Sequence, residues 1–365
     1  MTASAAGDLG GKNLLVVNTG NRKKRFTLRR LRELGCELII LNAAENWAST
    51  YAAHWILADT YDHTASLRAV KDFFARHPEL GPDGVITFWE DDVLLTSRIR
   101  DRLGLIGIPY QAARRARDKH LFRAFCSEHG LPSPGHAMID AGADPEESVK
   151  GLRFPMVIKP VYGSSSAYVV RVDDLDGLRE TVDYLRHNIS TDVESALSVS
   201  SAIMAEEYID GNEVDIDMLL QNGKIKFWSM SDNDATREPY FVETGQCIPT
   251  RLSRSQQMEL VSMAEEMLER LGIDNGCIHF EAKYGSRGPM PIEINLRKGG
   301  TTFPYLMLEF LTNGSYDPDT GVFRTPTGDT RSYYATDNLV QEAYRRLSAT
   351  DLIDLAGGKH KLNGN

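Results

Sequence analysis

Two neighbouring stretches alternate apolar and polar residues with period two, and they constrain this chain more than any other part of it. In Pro291-Ile292-Glu293-Ile294-Asn295-Leu296-Arg297 the apolar Ile292, Ile294 and Leu296 interleave with Glu293, Asn295 and Arg297. Side chains on a strand point alternately to opposite faces, so the three polar groups share a face at intervals of about 6.6 Å, twice a rise of about 3.3 Å. Exposed strand faces ordinarily carry Thr, Lys or Ser. A carboxylate and an amide in one row offer hard oxygen ligands suited to Mg²⁺, and the guanidinium beyond them suits an anion. Upstream, Cys277 to Lys283 (CIHFEAK) puts His279, Glu281 and Lys283 on one face by the same rule. Tyr284 to Pro289 (YGSRGP) has hairpin chemistry. Two antiparallel strands joined there bring Glu281 opposite Glu293, a repulsive pair unless a cation sits between them. The competing account is a half-exposed strand with a fortuitous polar face, since short motifs give many false positives.

At 365 residues the chain has room for two or three domains with real cores. Its 42% hydrophobic and 25% charged residues are those of a soluble globular protein. A net charge of −10 argues against a surface that binds nucleic acid, although a nucleotide needs only a local basic pocket. No run approaches the roughly 18 apolar residues of a membrane span. Met1 to Gly11 has neither the basic nor the apolar region of a secretory signal. Cys36, Cys126, Cys247 and Cys277 lack ligand-like spacing, as expected of reduced core thiols in a cytoplasmic protein.

In chain order, Lys12 to Asn18 reads as a buried parallel strand, Phe26 to Leu34 as a helix closed by Gly35, and Cys36 to Leu41 as a second strand. This βαβ unit lacks the G-x-G-x-x-G fingerprint of a dinucleotide site. A helix from Thr64 to His77 leads to the strand Asp83 to Phe88 and then Glu90-Asp91-Asp92. Ligands of open α/β sheets gather at carboxyl ends of strands, which makes Glu90 a substrate-contact candidate. The alternative is that the three acids favour the next helix N-terminus. Helical periodicity resumes at Ala112 and runs to His129-Gly130. Phe154 to Pro160 is a strand carrying Lys159, followed by Val161 to Ala167 (VYGSSSA) and a strand from Tyr168 to Val172. Such a loop offers N–H groups and hydroxyls to phosphate and can cover a nucleotide; it is not a Walker loop. Residues 187–201 are polar and serine-rich. Glu213, Asp215 and Asp217 alternate with apolar residues before an Asn222-Gly223 turn. An acidic solvent face explains them as well as a ribose contact at Glu213 does. Asp232 to Thr250 has weak periodicity, and Glu243 and Arg251 there are candidate substrate contacts. Arg254 to Leu271 is an amphipathic helix closed by Gly272.

From Asp83 to Gly300 the ordered set FWE, ARDKHLFR, FPMVIKP, YGSSSAYVV, EEYIDGNEVDIDML, HFEAK and EINLRKGG resembles the ATP-grasp carboxylate-amine ligases, and within them the L-amino-acid (dipeptide) ligases. The resemblance implies an α/β (α+β) architecture: an N-terminal open α/β domain over 1–112, and an ATP-grasp domain over 113–300. The ATP-grasp domain would have a small lid part (about 130–210) and a large part (about 211–300), and a tail would follow at 301–365. It implies that Lys119 and Lys159 bind ATP phosphates beneath a loop of Tyr162, Gly163, Ser164, Ser165 and Ser166. Glu206, Glu207, Tyr208 and Ile209 would surround adenine, and Glu213 would hold ribose. Glu281, Glu293 and Asn295 would hold two Mg²⁺ ions, with Mn²⁺ as a substitute. Arg297, with Lys298 beside it, would hold the acyl phosphate and the tetrahedral state. Gly299 and Gly300 would flank the substrate, and His279 is a candidate proton relay.

The implied activity joins an amino-acid-like carboxylate to an amino acid or peptide amine, with neither nucleic acid nor membrane as partner. A homodimer is compatible with the family. The rivals are a ligase for a non-amino-acid carboxylate or another amine, and a catalytically silent nucleotide-binding module. Leu296 stands where proline or alanine is commoner, and Lys298 adds positive charge beside the site. The tail lacks the longer C-terminal domain of many dipeptide ligases and is similar to that of the pheganomycin-type peptide ligases.

Overall fold

The computed structural model describes residues 9–22, 25–163, 166–191, 197, 199–236, 238–241 and 245–297, and the backbone of three short strands beyond them. The N-terminal unit comprises β1 (Asn13–Val17), α1 (Arg25–Glu33), β2 (Glu37–Asn42), β3 (Ala52–Leu57), α2 (His63–Arg76), β4 (Gly84–Ile86) and α3 (Val93–Leu103). Its four strands are parallel in the order β3-β2-β1-β4. The apolar runs of β1 and β2 are buried because both sheet faces are covered. Leu15, Val17, Ile39 and Leu41 pack on Val70, Phe73, Leu95 and Ile99 of α2 and α3. Val16, Leu38 and Ile40 pack on Leu28 and Leu31 of α1. Periodicity does not announce β3, an edge strand interrupted by His54 and ending at the exposed Leu57.

The helical run expected as one element from Ala112 is two: α4 (Tyr110–Arg117) and α5 (Lys119–Glu128). Asp118 separates them in extended conformation, and its Oδ1 accepts the Leu121 N–H at 2.9 Å as an N-cap. The second sheet follows: β5 (His136–Ile139), α6 (Pro145–Ser148), β6 (Met156–Pro160), β7 (Val170–Val172), α7 (Leu175–Asn188) and β8 (Ile203–Glu207). Its order is β5-β8-β6-β7, all antiparallel, over a core of Ile158, Leu178, Val182, Leu185 and Ala205. β7 is shorter than the expected Tyr168 to Val172, because Ser166 and Tyr168 adopt φ of 54° and 62° in the preceding turn.

The third sheet holds β9 (Asn212–Gln221), β10 (Lys224–Asn233), β11 (Gln246–Cys247), β12 (Gly276–Gly285) and β13 (Gly288–Asn295) in the order β11-β10-β9-β12-β13, with α8 (Arg254–Leu271) between β11 and β12 in sequence. Apolar alternates of β9 and β12, among them Val214, Ile216, Met218, Ile278 and Phe280, share a core with Leu260, Ala264, Met267 and Leu271 of α8. That burial turns the polar alternates to the opposite face, where the site lies. A capping box at Ser253 and Gln256 starts α8, and Gly272 at φ 75° ends it. The β12–β13 turn is tighter than Tyr284 to Pro289: Gly285 pairs with Gly288, leaving Ser286 and Arg287 as the turn. Ser315–Asp317, Val322–Arg324 and Thr330–Ser332 form a small antiparallel sheet.

Candidate active site

Three strands carry acids in one row. Glu281 on β12 stands directly opposite Glu293 on β13 and, on its other side, opposite Asp215 on β9. Adjacent strands lie about 4.8 Å apart, so three carboxylates stand side by side. Asn295 ties two of them, its Nδ2 donating to Glu281 Oε1 at 3.0 Å and to Glu293 Oε1 at 2.7 Å. Burial, then the Glu293 and Asp215 charges, raise the Glu281 carboxyl well above the ordinary range. Burial pushes Glu293 the same way, but Lys119, its Nζ 2.8 Å from Oε2, outweighs it and holds Glu293 ionised.

β9 is not a solvated acidic face. Asp215 is 2% exposed and Asp217 7%. Asp215 accepts from Asn233 at 3.0 Å and from Gln246. Asp217 Oδ1 lies 3.0 Å from His279 Nδ1, while Nε2 of that ring sits 3.5 Å from Glu281 and 3.8 Å from Asp215. Burial disfavours charge on His279, yet Asp217 and Asp215 prevail and raise its pKa well above the histidine range. In that state the ring donates protons rather than accepts them.

An oxygen-rich set of buried and partly buried acids plus an amide, repulsive as it stands, fits a hard divalent cation. Ligand atoms of Asp215, His279 and Glu281 lie within 4.8 Å of one another.

The cationic side comes from α5 and β6. Lys119 Nζ also donates to the Gly163 carbonyl at 3.1 Å. Lys159 Nζ lies 2.7 Å from Glu206 Oε2, and Arg123 grips the same carboxylate with Nε at 2.8 Å and Nη2 at 3.2 Å. Burial opposes ionisation of Glu206, but Arg123 and Lys159 take its pKa down to about 2. Arg123 is fully buried and also donates to the Ile292 carbonyl at 2.7 Å. Ile292 is the extra residue of a bulge between Glu281–Glu293 and Ala282–Pro291, so Arg123 satisfies a carbonyl that the ladder leaves out. Sequence reasoning missed Arg123 as well as Asp215 and Asp217. The signal for Arg123 was its place on the apolar stripe of α5 with Phe122 and Cys126.

Between the second and third sheets lies an open cleft. Lys119, Lys159, Gly163, Glu206, Glu281 and Glu293 line one part of it, and Glu207, Tyr208, Ile209, Glu213, Phe241 and Lys283 another. Lys283 Nζ lies 5.2 Å from the Tyr208 ring centre, 5.6 Å from that of Phe241 and 3.8 Å from Glu213 Oε2. The Tyr208 hydroxyl donates to Glu238 at 2.7 Å. Glu207 pairs with Arg153 at 3.0 Å and Arg287 at 3.7 Å. Ser166 is on the cleft wall, whereas Tyr162 is buried in the main core and does not line the cleft. Arg251 is exposed on its Asp232 contact, away from the lining. Arg297 and Glu90 form an ion pair, Nε to Oε2 at 2.7 Å, outside the lining. Ser164, Ser165, Glu243, Lys298, Gly299 and Gly300 lie outside the described residues.

Residues 152–304 match the ATP-grasp domain family. Over 305 residues, 80% of this chain, the sequence is 30% identical to Carnosine synthase 1 of Homo sapiens and spans 37% of it. It is 26% identical to alanine–anticapsin ligase of Bacillus subtilis (strain 168) over 66% of this chain and 53% of that protein. The chain thus spans between about a third and a half of these curated relatives. The L-amino acid ligase from Bacillus licheniformis superposes with a TM-score of 0.67 at 25% identity, covering 82% of this chain and 70% of that one. An ADP complex of N5-carboxyaminoimidazole ribonucleotide synthetase shares the fold, with a TM-score of 0.62 at 16% identity over 80% of this chain and 71% of that one. Among the described residues no helix is long and apolar enough to cross a membrane. The order of the sheets, the acid row facing two buried lysines and these likenesses agree: residues 152–304 form a domain of the ATP-grasp family, and the chain is similar to carboxylate-amine ligases that carry it.

Proposed function

We propose that this protein is an ATP-dependent ligase that joins an amino-acid-like carboxylate to the amine of an amino acid or peptide through an acyl phosphate. The observation that carries the reading is the row of the buried Asp215 and the partly buried Glu281 and Glu293, the last two bridged by Asn295 and Glu293 faced by Lys119. The names of the relatives, alanine–anticapsin ligase, L-amino acid ligase and carnosine synthase, support the same class of reaction.

A carboxylate resists amines because an oxide is a poor leaving group. In the proposed reaction its oxygen takes the γ-phosphoryl group of ATP and ADP leaves. The amine then attacks the carbonyl carbon, the carbon–oxygen bond to phosphate breaks, and the amine's proton goes to solvent or base. Lys119, Lys159, Tyr208, Ile209, Glu213 and Phe241 all line the cleft; in this reading the two lysines would hold phosphate charge, Tyr208, Ile209 and Phe241 would flank the base, and Glu213 would meet ribose. Glu281, Glu293 and Asn295 would hold Mg²⁺, two ions in this reading with Mn²⁺ as a substitute, which would supply positive charge against the triphosphate. Arg297 stabilises the oxyanion. Residues 1–112, 113–300 and 301–365 are the units of this proposal. The four free cysteines fit the cytoplasmic setting of this reading.

The test is mass spectrometry of products from ATP, Mg²⁺ and a panel of amino acids and dipeptides. One amide formed per ADP is the expected result. ATP turnover without an amide from any pair, or no turnover at all, would overturn the reading.

A further inference from the structure

Glu90 stands at the carboxyl end of β4, where an open parallel sheet ordinarily meets its ligand. Its carboxylate is 8% exposed and is held by two guanidinium groups from outside its own sheet. Arg117, 5% exposed at the end of α4, places Nη1 3.2 Å from Oε1. Arg297, two residues beyond β13, places Nε 2.7 Å from Oε2. Each oxygen therefore has its own cation. A substrate ammonium reaching Glu90 would have to displace one of them.

The strand fixes only where the Arg297 side chain begins. Several rotatable bonds separate its backbone from the guanidinium, and the chemistry needs that plane aimed at one oxygen. A close, buried ion pair limits how far that plane can swing, although among the described residues neither Glu90 oxygen accepts a hydrogen bond, so the hold is one of charge and proximity. We propose that Glu90 is a positioning residue for Arg297: it orients the guanidinium towards the developing oxyanion, while Arg117 fixes Glu90 from the other side. The role of Arg297 in this statement rests on the ligase reading; the Glu90–Arg297 pairing does not. The N-terminal sheet then shares in catalysis, although Glu90 lies outside the residues that match the ATP-grasp domain.

The test compares full-length wild type with Glu90→Ala, Glu90→Gln, Arg297→Ala and the Glu90→Ala/Arg297→Ala pair. In Glu90→Ala, kcat falls roughly 100-fold, as expected of a displaced catalytic group. The KM values for ATP and both substrates stay within about threefold, the signature of an interaction made only in the transition state. Glu90→Gln keeps the side-chain shape without the charge and recovers little of the loss, as expected of a hold made by the ion pair. The double variant is no slower than Arg297→Ala. A rise in either substrate KM with kcat held would overturn the proposal in favour of a substrate contact, and additive losses in the double variant would overturn it too. Urea unfolding of the same four proteins and wild type tests the pairing without turnover: coupling of roughly tenfold in the unfolding constant supports it, and additivity overturns it. A wild type that forms no amide defeats the ligase reading by itself, and the unfolding cycle still decides the pairing.

Discussion

Glu281 and Glu293 face each other across two antiparallel strands, and one amide group, Nδ2 of Asn295, donates to both. Like charges directly opposite are destabilising, and here a third acid, Asp215, stands on the far side of Glu281. A divalent cation relieves that repulsion, so Mg²⁺ should stabilise the folded chain. Wild type is expected to melt higher as Mg²⁺ is added, by mass action, and Glu293→Ala is expected to lose both that shift and turnover. Native phosphate release from Glu293→Ala would remove Glu293 from the metal site.

Glu206 is held by two buried cations, Arg123 and Lys159. Removing one partner of a buried ion pair leaves an uncompensated charge, at a cost of about 3–5 kcal/mol. Glu206→Gln should lose that order of stability at neutral pH, measured by urea unfolding. The acid side gives a second check. The folded pKa of about 2 lies below the ordinary 4.5, so this contribution is full above pH 4.5 and is lost as pH falls towards 2. The variant should lack that part of the acid limb.

Asp92 is expected to act in the opposite sense. Burial, only partly offset by hydrogen bonds from Thr60 and Asn18, lifts its pKa from 3.8 to about 6. Between those values the folded state binds more protons than the unfolded one, so stability falls as pH rises from about 4 to 6 and is flat above. Asp92→Asn should remove that fall and gain at most about 3 kcal/mol at pH 7. A pH series of unfolding free energies that falls equally in both proteins would contradict it.

The opposition of Glu281 and Glu293 was legible because period-two alternation and a nearby turn are local signals, only twelve residues apart along the chain. The other side of the row was not. Asp215 meets Glu281, and Asp217 meets His279, through a register between strands some sixty residues apart, which no local pattern encodes. Arg123 shows the same limit: a basic residue on an apolar helical stripe demands a buried partner, but Glu206 is 83 positions away. The break at Asp118 follows from cap chemistry that competes with helical periodicity. In the parallel sheet, fully buried runs at β1 and β2 were readable, whereas the half-exposed edge β3 was not.

Arg297 lies two residues past Asn295, beyond the end of β13, and does not line the cleft. Arg297→Ala should therefore lower kcat by roughly 10²–10³-fold, the scale of losing one oxyanion donor, while ATP affinity stays near wild type. Nucleotide titration beside steady-state rates separates the two. A proportional loss of ATP binding would place Arg297 on the nucleotide instead.

Oxygen transfer tests acyl-phosphate formation most directly. A carboxylate substrate carrying ¹⁸O in both oxygens, turned over with unlabelled ATP and an accepted amine, should deliver one ¹⁸O to each phosphate released and retain the other in the amide. Phosphate free of ¹⁸O, or label appearing in AMP, would contradict it.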